Sequence, residues 1–597
     1  MDPRLTRREF LKGAALFAAA PAGTLHAANP STRQPLEEFG YDQVQLTGGP
    51  LKSQYERILA FYLALDNDRL LKVYRERAGL PAPGAEMGGW YDADGFVPGH
   101  SLGQYISGLA RFARATGSSA CREKVNGLVS GFAETLGPQN RIFAGPNAER
   151  VWPCYILDKH LAGMIDAYNL CGVTQARDLL PRIYRGALPY IPDRGRDRVG
   201  KKNPPYDETY VLPETLFAAS DLVNDRAMYD RACAYLLDRD YFDPLADGQD
   251  VLPGRHAYSH VIALSSAGKA HLVLGDEKYL SAMQNAWDLL ASGQQYATGG
   301  WGPNETFITP HKGELYASLS STVDHFETPC GSYAAIKLAR YLLTATADGR
   351  YGDGLERVLY NAILAVKFPD DSGDYPYYST YSSDAHKVFY PKKWPCCSGT
   401  LVECVADYVK NIYFHAPDGV AVNLYTPSTL AWNHGEHRIR LAQETDYPLG
   451  ETVRLHFECA EPVAFTLRLR VPAWLHAPAS IRVNGRPQPI AIRRGFAELR
   501  RTWRSGDQVA LTLPQEFRTE PIDDLHPQIA ALLRGPIVYV LADPPPQEPA
   551  FGDMDRLREN AGAKGTYSLR SENRSDTYLP LYFVQDQSYS TYFRMTS

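Results

Sequence analysis

Two hydrophobic periodicities divide the chain, and the change between them lies near residue 415. Between about residues 50 and 414, apolar residues recur with helical spacing. One helical face, for example, carries Ala334, Leu338, Tyr341, Leu342 and Ala345. After residue 415, apolar and polar residues alternate in short runs separated by Gly, Pro, Asn and Asp, which is typical of strands. The pattern therefore predicts a helical domain followed by strand-rich domains.

The helical region contains a repeat of about 50 residues. A turn-like cluster followed by an amphipathic segment recurs at residues 66, 117, 172, 224, 275 and 349. One repeat has room for two helices and their connections, so six helical pairs are expected. They form either a closed (α/α)6 barrel or an open array, and the period does not distinguish the two. The interval between the last two turns, at residues 275 and 349, is longer than the others because of an irregular insertion at 299–326. Such an insertion is typical of a functional loop.

The resulting prediction is a multidomain α+β protein, an (α/α)6 barrel catalytic domain followed by β-sandwich domains. We expect an export signal over 1–28, a strand segment over 29–49 and the barrel over 50–414. A first β-sandwich is expected over 415–520 and a second over 521–597. The strands around residues 43–46 are expected to complete the second sandwich.

The first 28 residues predict export. Arg7 and Arg8 precede an Ala-rich apolar run, and small residues follow at Ala27 and Ala28, which resembles a twin-arginine signal. An ordinary secretory signal or an amphipathic first helix remains an alternative. Because the apolar run is too short to span a bilayer, we expect a periplasmic or secreted protein, exported by the twin-arginine machinery.

Composition and charge narrow the choice of partners. The net charge is −6, with 62 basic and 68 acidic residues evenly mixed, so no basic stripe indicates nucleic acid or an anionic membrane. The 38 tyrosines, 22 phenylalanines and 8 tryptophans supply flat rings, some with a polar tip, that can stack on sugars. We therefore expect a carbohydrate partner, no nucleic acid, and no membrane for the mature form.

Nine cysteines, an odd number spread along the chain, are not a disulfide framework. The adjacent pair Cys396 and Cys397 has three interpretations: a strained vicinal disulfide, two inert buried thiols, or ligands of a metal. Zinc prefers thiolates and takes about four ligands. Glu327 and Cys330, which share a helix face at i and i+3, would complete a Cys3Glu site.

A series of motifs resembles the β-L-arabinofuranosidases of glycoside hydrolase family 127 across almost the whole mature chain. They include GHSLGQY from Gly99, GRHAYSH from Gly254, TGGWGPNETF from Thr298 and WPCCSGT from Trp394, and their order and spacing together are specific. The resemblance implies an (α/α)6 barrel with β-sandwich domains. It also implies a retaining, zinc-dependent hydrolase that removes β-L-arabinofuranosyl or a related sugar from plant-type glycans.

Carried over by position, the resemblance implies a zinc-bound cysteine nucleophile. Cys396 would be that nucleophile, and Glu305 would be the general acid/base. Glu327, Cys330 and Cys397 would be the other zinc ligands. The run Glu-Thr-Pro-Cys departs from the Glu-x-Cys that relatives usually show, which makes Glu327 the less secure ligand.

Sugar contacts are expected at four further positions. The resemblance implies contact at His256, and His100 and Trp301 are candidates that also suit purely structural roles. Asp158 stands where many relatives carry His, so the sugar contact there is altered or lost.

Three rival functions remain open. The same scaffold could act on a different glycan residue, or the protein could bind carbohydrate without catalysis and hold a structural zinc. A hydrolase that uses metal-bound water is the third, and it would invert the anomeric centre.

Overall fold

The computed structural model describes residues 33–200, 207–545, 549–570 and 574–596. The predicted signal at 1–28 lies outside the described residues. Within those residues, no helix combines the length and the apolar character needed to cross a bilayer.

Helices occupy the first two-thirds of the described chain. The α-helices are α1 (Gly49–Ala64), α2 (Asn67–Ala78), α3 (Leu102–Thr116), α4 (Ser119–Thr135), α5 (Pro146–Val151), α6 (Pro153–Cys171), α7 (Thr174–Ala187), α8 (Pro213–Val223), α9 (Arg226–Tyr235), α10 (Asp243–Ala246), α11 (Ala257–Leu274), α12 (Glu277–Gly293), α13 (Glu314–Ser321), α14 (Thr328–Thr346), α15 (Arg350–Val358) and α16 (Cys397–Ala406).

The helical region closes into a barrel, which resolves the choice between a ring and an open array. Six inner helices, α3, α6, α8, α11, α14 and α16, each pack on the next, and α16 packs back on α3. The outer helices α4, α7, α9, α12 and α15 each pack on the inner helix that precedes them, and α1 packs on α16. The predicted (α/α)6 fold is confirmed.

The predicted turns are the junctions between helices. Five of them join an inner helix to its outer partner, and each inner helix ends on a left-handed residue: Gly117, Gly172, Asn224, Gly275 and Ala347. The turn at residue 66 instead joins α1 to α2. The ring is therefore completed by helices from opposite ends of the domain, α1 and α16.

Strands form the rest of the described chain. They are β1 (Glu37–Glu38), β2 (Val44–Leu46), β3 (Phe326–Glu327), β4 (Tyr378–Ser379), β5 (Tyr413–Ala416), β6 (Gly419–Val422), β7 (Ser428–His434), β8 (His437–Thr445), β9 (Thr452–Cys459), β10 (Val463–Arg470), β11 (Ser480–Val483), β12 (Arg486–Gln488), β13 (Ile492–Arg493), β14 (Phe496–Trp503), β15 (Gln508–Thr512), β16 (Phe517–Pro521), β17 (Ile529–Arg534), β18 (Ile537–Ala542), β19 (Ala550–Phe551), β20 (Arg558–Glu559), β21 (Tyr567–Arg570), β22 (Ser575–Pro580), β23 (Tyr589–Ser590) and β24 (Tyr592–Met595).

The first strand domain is a two-sheet sandwich. Its sheets have the orders β1-β5-β6-β10-β14-β13 and β12-β11-β15-β9-β8-β7-β2. Trp503 on β14 stacks on Phe457 on β9 with ring centroids 4.4 Å apart, so the two sheets face each other across an aromatic core.

The N-terminal strands belong to this first sandwich, which corrects the prediction that they complete the second. β2 pairs with β7, and β1 pairs with β5. Both partners lie in the sandwich that directly follows the barrel. The chain before α1 therefore ties the sandwich to the start of the helical domain.

A buried ion network also joins the barrel to the sandwich. Arg470 on β10 has no exposed surface, and its guanidinium contacts Glu356 on α15 at 2.6 Å and also Asp353. Tyr447 donates a hydrogen bond of 2.7 Å to the same Glu356 oxygen. The charges compensate one another where water is excluded, which burial of a guanidinium requires.

The C-terminal strands form a strand domain separate from the first sandwich, in the region where the second strand-rich domain is predicted. Among the described residues, nine strands from β16 to β24 pair within one sheet. The sheet contacts irregular segments of the barrel domain. The Tyr589 hydroxyl donates to Thr380 O at 2.7 Å, Tyr589 pairs with Ala385, and Ala297 N donates to the Tyr592 hydroxyl at 2.9 Å.

Candidate active site

Three thiols converge where two neighbouring inner helices begin. Cys330 lies in the first turn of α14, and Cys396 and Cys397 lie at the N-cap and the first position of α16. The Cys330 sulfur is 3.1 Å from the Cys397 sulfur and 3.5 Å from the Cys396 sulfur. All are free thiols, so the vicinal disulfide is not formed. Helix N-termini carry partial positive charge, which favours thiolates.

The three sulfurs differ in their tendency to ionise. Burial raises the pKa of Cys330 and of Cys397 well above the ordinary value for a thiol. Burial acts on Cys396 in the same direction, but hydrogen bonds from Cys330, Cys397 and Tyr377 outweigh it and hold its pKa well below that value. Negative charge in the cluster therefore concentrates on Cys396.

Two carboxylates and a histidine face each other beside the thiols. His256 Nε2 is 3.6 Å from Glu305 Oε2 and 3.9 Å from Glu327 Oε2. Burial opposes ionisation of Glu305, but the hydrogen bond from His256 prevails and lowers its pKa to about 2. Burial, together with the charge of Glu305, raises the pKa of Glu327 well above its usual range. The pKa of His256 rises to about 10 because Glu208 and Glu305 outweigh its burial.

The predicted functional loop, 299–326, presents Glu305 through an unusual backbone. Asn304 and Glu305 both have positive φ, 54° and 59°, which is sparsely populated by residues other than glycine. An isolated bridge between His256 and Thr306 holds the loop against the start of α11. Such strain persists only where the surroundings impose it, so the local fold fixes the direction of this carboxylate.

Tyrosines and a second ion pair support these groups. The Tyr378 hydroxyl donates to Glu305 Oε1 at 2.6 Å, and the Tyr377 hydroxyl donates to Glu327 Oε1 at 2.9 Å and lies 3.6 Å from the Cys396 sulfur. Behind them, buried Glu208 lies 3.1 Å from His256 Nδ1. Glu208 also accepts a hydrogen bond of 2.7 Å from the guanidinium of Arg198.

These groups open into a cavity of about 260 Å³. Cys396, Glu305, Glu327 and His256 all lie on its wall, together with Glu208. Aromatic rings make up much of the remaining surface: Trp90, Phe96, Trp152, Tyr155, Tyr258 and Tyr390. A cavity of this kind, apolar with a few convergent polar groups, suits a sugar ring.

Three of the predicted sugar contacts do not lie on this wall. Trp301 is buried and packs edge-on against Phe326, so it anchors the loop. His100 is fully buried, and its Nδ1 lies 2.8 Å from Val97 O. Asp158 lines a separate cavity, whose other lining residues come mostly from the inner helices of the barrel.

The reason for the position of Asp158 is local. Its carboxylate accepts hydrogen bonds from Lys159 at 2.8 Å and from Thr215 at 2.7 Å. A carboxylate paired in this way with its buried neighbour is held away from the sugar pocket.

Several site residues are not indicated by the sequence reasoning. Tyr377 and Tyr378 belong to the aromatic run YPYYS in an irregular stretch, where no hydrophobic period marks an element. Glu208 likewise lies just before a short 3₁₀ turn, Thr209–Val211. The concentration of tyrosines between 375 and 378 is the one signal that could have indicated the wall.

A closed (α/α)6 barrel whose pocket holds paired acids, a histidine and a thiol cluster beneath aromatic rings has the architecture of a glycoside hydrolase catalytic domain. The chain belongs to the GH127 β-L-arabinofuranosidase family. Residues 43–410 match the model of the family's catalytic domain, and residues 419–515 match its middle domain.

Individual relatives agree with this placement. The chain is 25% identical over 301 residues to a non-reducing end β-L-arabinofuranosidase of Bifidobacterium longum subsp. longum, a match that covers 46% of this chain and 44% of that relative. The match thus spans less than half the length of the relative.

Solved structures of the family share the fold. A GH127 β-arabinofuranosidase superposes with a TM-score of 0.77 at 19% identity, covering 95% of this chain and 99% of that one. A GH127 β-L-arabinofuranosidase from Geobacillus stearothermophilus T6 has a TM-score of 0.70 at 18% identity, covering 93% and 100%. At these identities the likeness shows the architecture of the barrel and strand domains.

Proposed function

We propose that the protein is an exported, zinc-dependent retaining glycoside hydrolase that releases β-L-arabinofuranosyl, or a closely related sugar, from plant-type glycans. The observation that carries the proposal is the presence of the Cys396 sulfur and the Glu305 carboxylate on the wall of one sugar-sized cavity. Family membership and the β-L-arabinofuranosidase activity of the Bifidobacterium relative support the sugar class.

The donor set fits zinc. The sulfurs of Cys396 and Cys397 lie within 3.5 Å of the Cys330 sulfur, so one ion could bind all three as thiolates, which are ligands that zinc prefers. Glu327 groups with His256 and Glu305 rather than with the sulfurs. Its buried Oε2 nevertheless has no hydrogen-bond partner within the described chain, which leaves that oxygen available as a fourth donor.

We therefore assign Cys330, Cys396, Cys397 and Glu327 as the residues that would hold the ion. When bound, zinc would keep the thiols deprotonated and draw charge from sulfur, which favours departure of the sulfur from carbon.

The chain's own residues then supply a double displacement. The Cys396 sulfur attacks the anomeric carbon as the bond to the leaving oxygen breaks, and Glu305 protonates that oxygen. Water next attacks the same carbon, Glu305 accepts a proton from the water, and the carbon–sulfur bond breaks with its electron pair left on sulfur. Two inversions give retention.

The proton that Glu305 delivers has a source beside it. Its low pKa favours the carboxylate, which is the form that accepts a proton from water in the second step. For the first step the carboxyl must hold a proton, and the protonated His256, whose Nε2 is 3.6 Å from Glu305 Oε2, is the cationic group paired with it. The His256–Glu305 pair therefore holds the proton that the first step requires.

Two measurements test this function together. A panel of aryl glycosides identifies the sugar released, and product NMR identifies the first-formed anomer. We expect release of β-L-arabinofuranose with retention. Sugar binding without release would favour the carbohydrate-binding alternative, and inversion would favour hydrolysis by metal-bound water. Release of another sugar would keep the scaffold and change the substrate.

The nucleophile is tested by variants. Cys396→Ser is expected to lose turnover while it still binds sugar, and Cys404→Ser, a buried thiol further along α16, serves as the matched control. Mass spectrometry of protein trapped with an activated arabinofuranoside should place the label on Cys396. A label on a carboxylate would contradict the assignment.

Export is proposed from Arg7 and Arg8 and the apolar run that follows them. Replacing both arginines by lysine should keep the enzyme in the cytoplasmic fraction. Undiminished activity outside the cytoplasm would contradict twin-arginine export.

A further inference from the structure

A second cavity of about 300 Å³ adjoins the sugar pocket. Arg198 lines both cavities, and neighbouring residues of the chain divide between them: Trp152 faces the sugar pocket and Pro153 the second cavity. Glu208 and Asp207 divide in the same way. The two spaces therefore share one wall, made by the start of α6 and the segments around residues 198 and 208.

The charge of this second cavity is positive. Three guanidiniums line it, those of Arg150, Arg196 and Arg198. Arg198 is paired with Glu208 at 2.7 Å. Arg150 and Arg196 are exposed, and neither makes an ion pair with a carboxylate of the described residues.

The acids of the cavity do not neutralise these two arginines. Asp197 is occupied by Arg255 at 2.8 Å and by His260 at 2.9 Å. Asp207 accepts backbone hydrogen bonds from the first turn of α6, and burial raises its pKa to about 6. Two unpaired guanidiniums beside a recess are a binding arrangement for a carboxylate.

The cavity also offers an aromatic platform. Tyr190 lines it and is 38% exposed, and its ring meets that of Phe143 edge to face with ring centroids 5.1 Å apart. An exposed, braced tyrosine stacks on sugar rings. Arginine and aromatic side chains together match a sugar that carries an acid group.

A series of contacts connects the wall of the second cavity to the proposed acid/base. The guanidinium of Arg198 pairs with Glu208 at 2.7 Å, and Glu208 lies 3.1 Å from His256 Nδ1. His256 Nε2 in turn lies 3.6 Å from Glu305 Oε2. The acid/base protonates the oxygen of the departing group, so the leaving-group side of the bond faces Glu305. Arg198 lines both cavities, so these contacts run from the second cavity to the proposed acid/base.

We propose that this cavity is a leaving-group subsite that recognises a uronic acid residue, with Arg150 and Arg196 binding its carboxylate and Tyr190 stacking on its ring. The subsite rests on the proposed glycosidase function, and it specifies the substrate as an acidic glycan. The sugar that is released occupies the pocket with Cys396, and the uronate to which it was linked occupies the cavity with the arginines.

A matched pair of substrates tests the subsite. In both, the released sugar is linked to a uronic acid, as the free carboxylate in one and as its methyl ester in the other. We expect kcat/KM for the acid to exceed that for the ester about tenfold at low salt, which corresponds to about 1.4 kcal/mol. Because exposed ion pairs are screened, the preference should shrink in high salt.

Variants separate charge from stacking. The double substitution Arg150→Gln with Arg196→Gln should remove the preference for the acid and leave kcat/KM for the ester and for an aryl glycoside unchanged. Tyr190→Ala should lower kcat/KM for acid and ester alike. Arg194→Gln, an exposed arginine of the same segment that does not line the cavity, is the control.

The outcomes distinguish the two proposals. If the aryl glycoside is not cleaved, the proposed function fails. If the aryl glycoside is cleaved but acid and ester react equally, or if the double variant keeps the preference, the subsite is overturned.

Discussion

Stability of the barrel is predicted to fall in mild acid because one histidine is buried as the neutral base. His160 on α6 has no exposed surface, and burial lowers its pKa from 6.5 to about 3. Its ring packs between Tyr74 and Phe132, with Nε2 3.2 Å from the Tyr74 hydroxyl. A proton taken up at His160 would be a buried charge without a partner.

The sign follows from where protons bind. Below pH 6.5 the unfolded chain protonates this imidazole and the folded chain does not, so acid favours unfolding. Between pH 7.5 and pH 5 this linkage removes about 2 kcal/mol of stability, and the full pKa difference corresponds to about 5 kcal/mol once the pH falls to the folded pKa.

His160→Phe isolates this contribution. Phe keeps a ring against Phe132, and the Tyr74 hydroxyl keeps its hydrogen bond to Gly99 O at 2.7 Å. Urea unfolding followed by circular dichroism gives the stability of both proteins at each pH. The wild type should lose about 2 kcal/mol more than the variant between pH 7.5 and pH 5. Parallel pH profiles would refute the reasoning.

Three further outcomes are expected. Arg470→Met should destabilise the protein by about 3–5 kcal/mol in urea unfolding because it leaves buried carboxylates unpaired. Arg468→Met removes a more exposed ion pair, with Asp418, from the same strand and should cost under about 1 kcal/mol. Tyr378→Phe should lower kcat/KM by about 10- to 100-fold, since it removes a charged hydrogen bond to Glu305, the proposed acid/base, while Tyr390→Phe should stay within about threefold of the wild type. A thiol-compatible chelator should abolish activity, and added zinc should restore it, with metal content measured by elemental analysis; activity that persists in metal-free protein would contradict the zinc assignment.

Local signals in the sequence predict local structure well. Gly117, Gly172 and Gly275 end inner helices where the repeat predicts turns, because each must adopt a left-handed conformation that glycine tolerates. The start of α14 is also readable, since Pro329 fits a first helical turn. Such features depend on a few neighbouring residues.

Pairings between distant segments are not readable in the same way. Closure of the ring depends on α1 and α16, which are separated by more than 300 residues in the chain. The partner of β2 depends on which sheet edge lies nearby, and short strands of similar pattern exist in both strand domains. Register and pairing of this kind are fixed by the assembled fold.

The candidate site shows the same division. The motif positions of Cys396, Glu305, Glu327 and His256 lead directly to the pocket. Asp158 lies outside the pocket because its carboxylate forms a salt bridge with Lys159, and the motifs do not predict this salt bridge.

The C-terminal sheet has a consequence for how short an active version of this enzyme can be made. Every residue to which we assign a chemical role precedes the first sandwich in the chain. Tyr589 nevertheless contacts Thr380 and Ala385, just after the tyrosines of the pocket, and Tyr592 contacts Ala297, just before the 299–326 loop. A chain cut after residue 515 would retain the proposed nucleophile and zinc ligands but would lose the contacts that Tyr589 and Tyr592 make with these segments. Loss of the final eighty or so residues should therefore lower activity by loosening these loops, with the thiol cluster of Cys330, Cys396 and Cys397 still assembled.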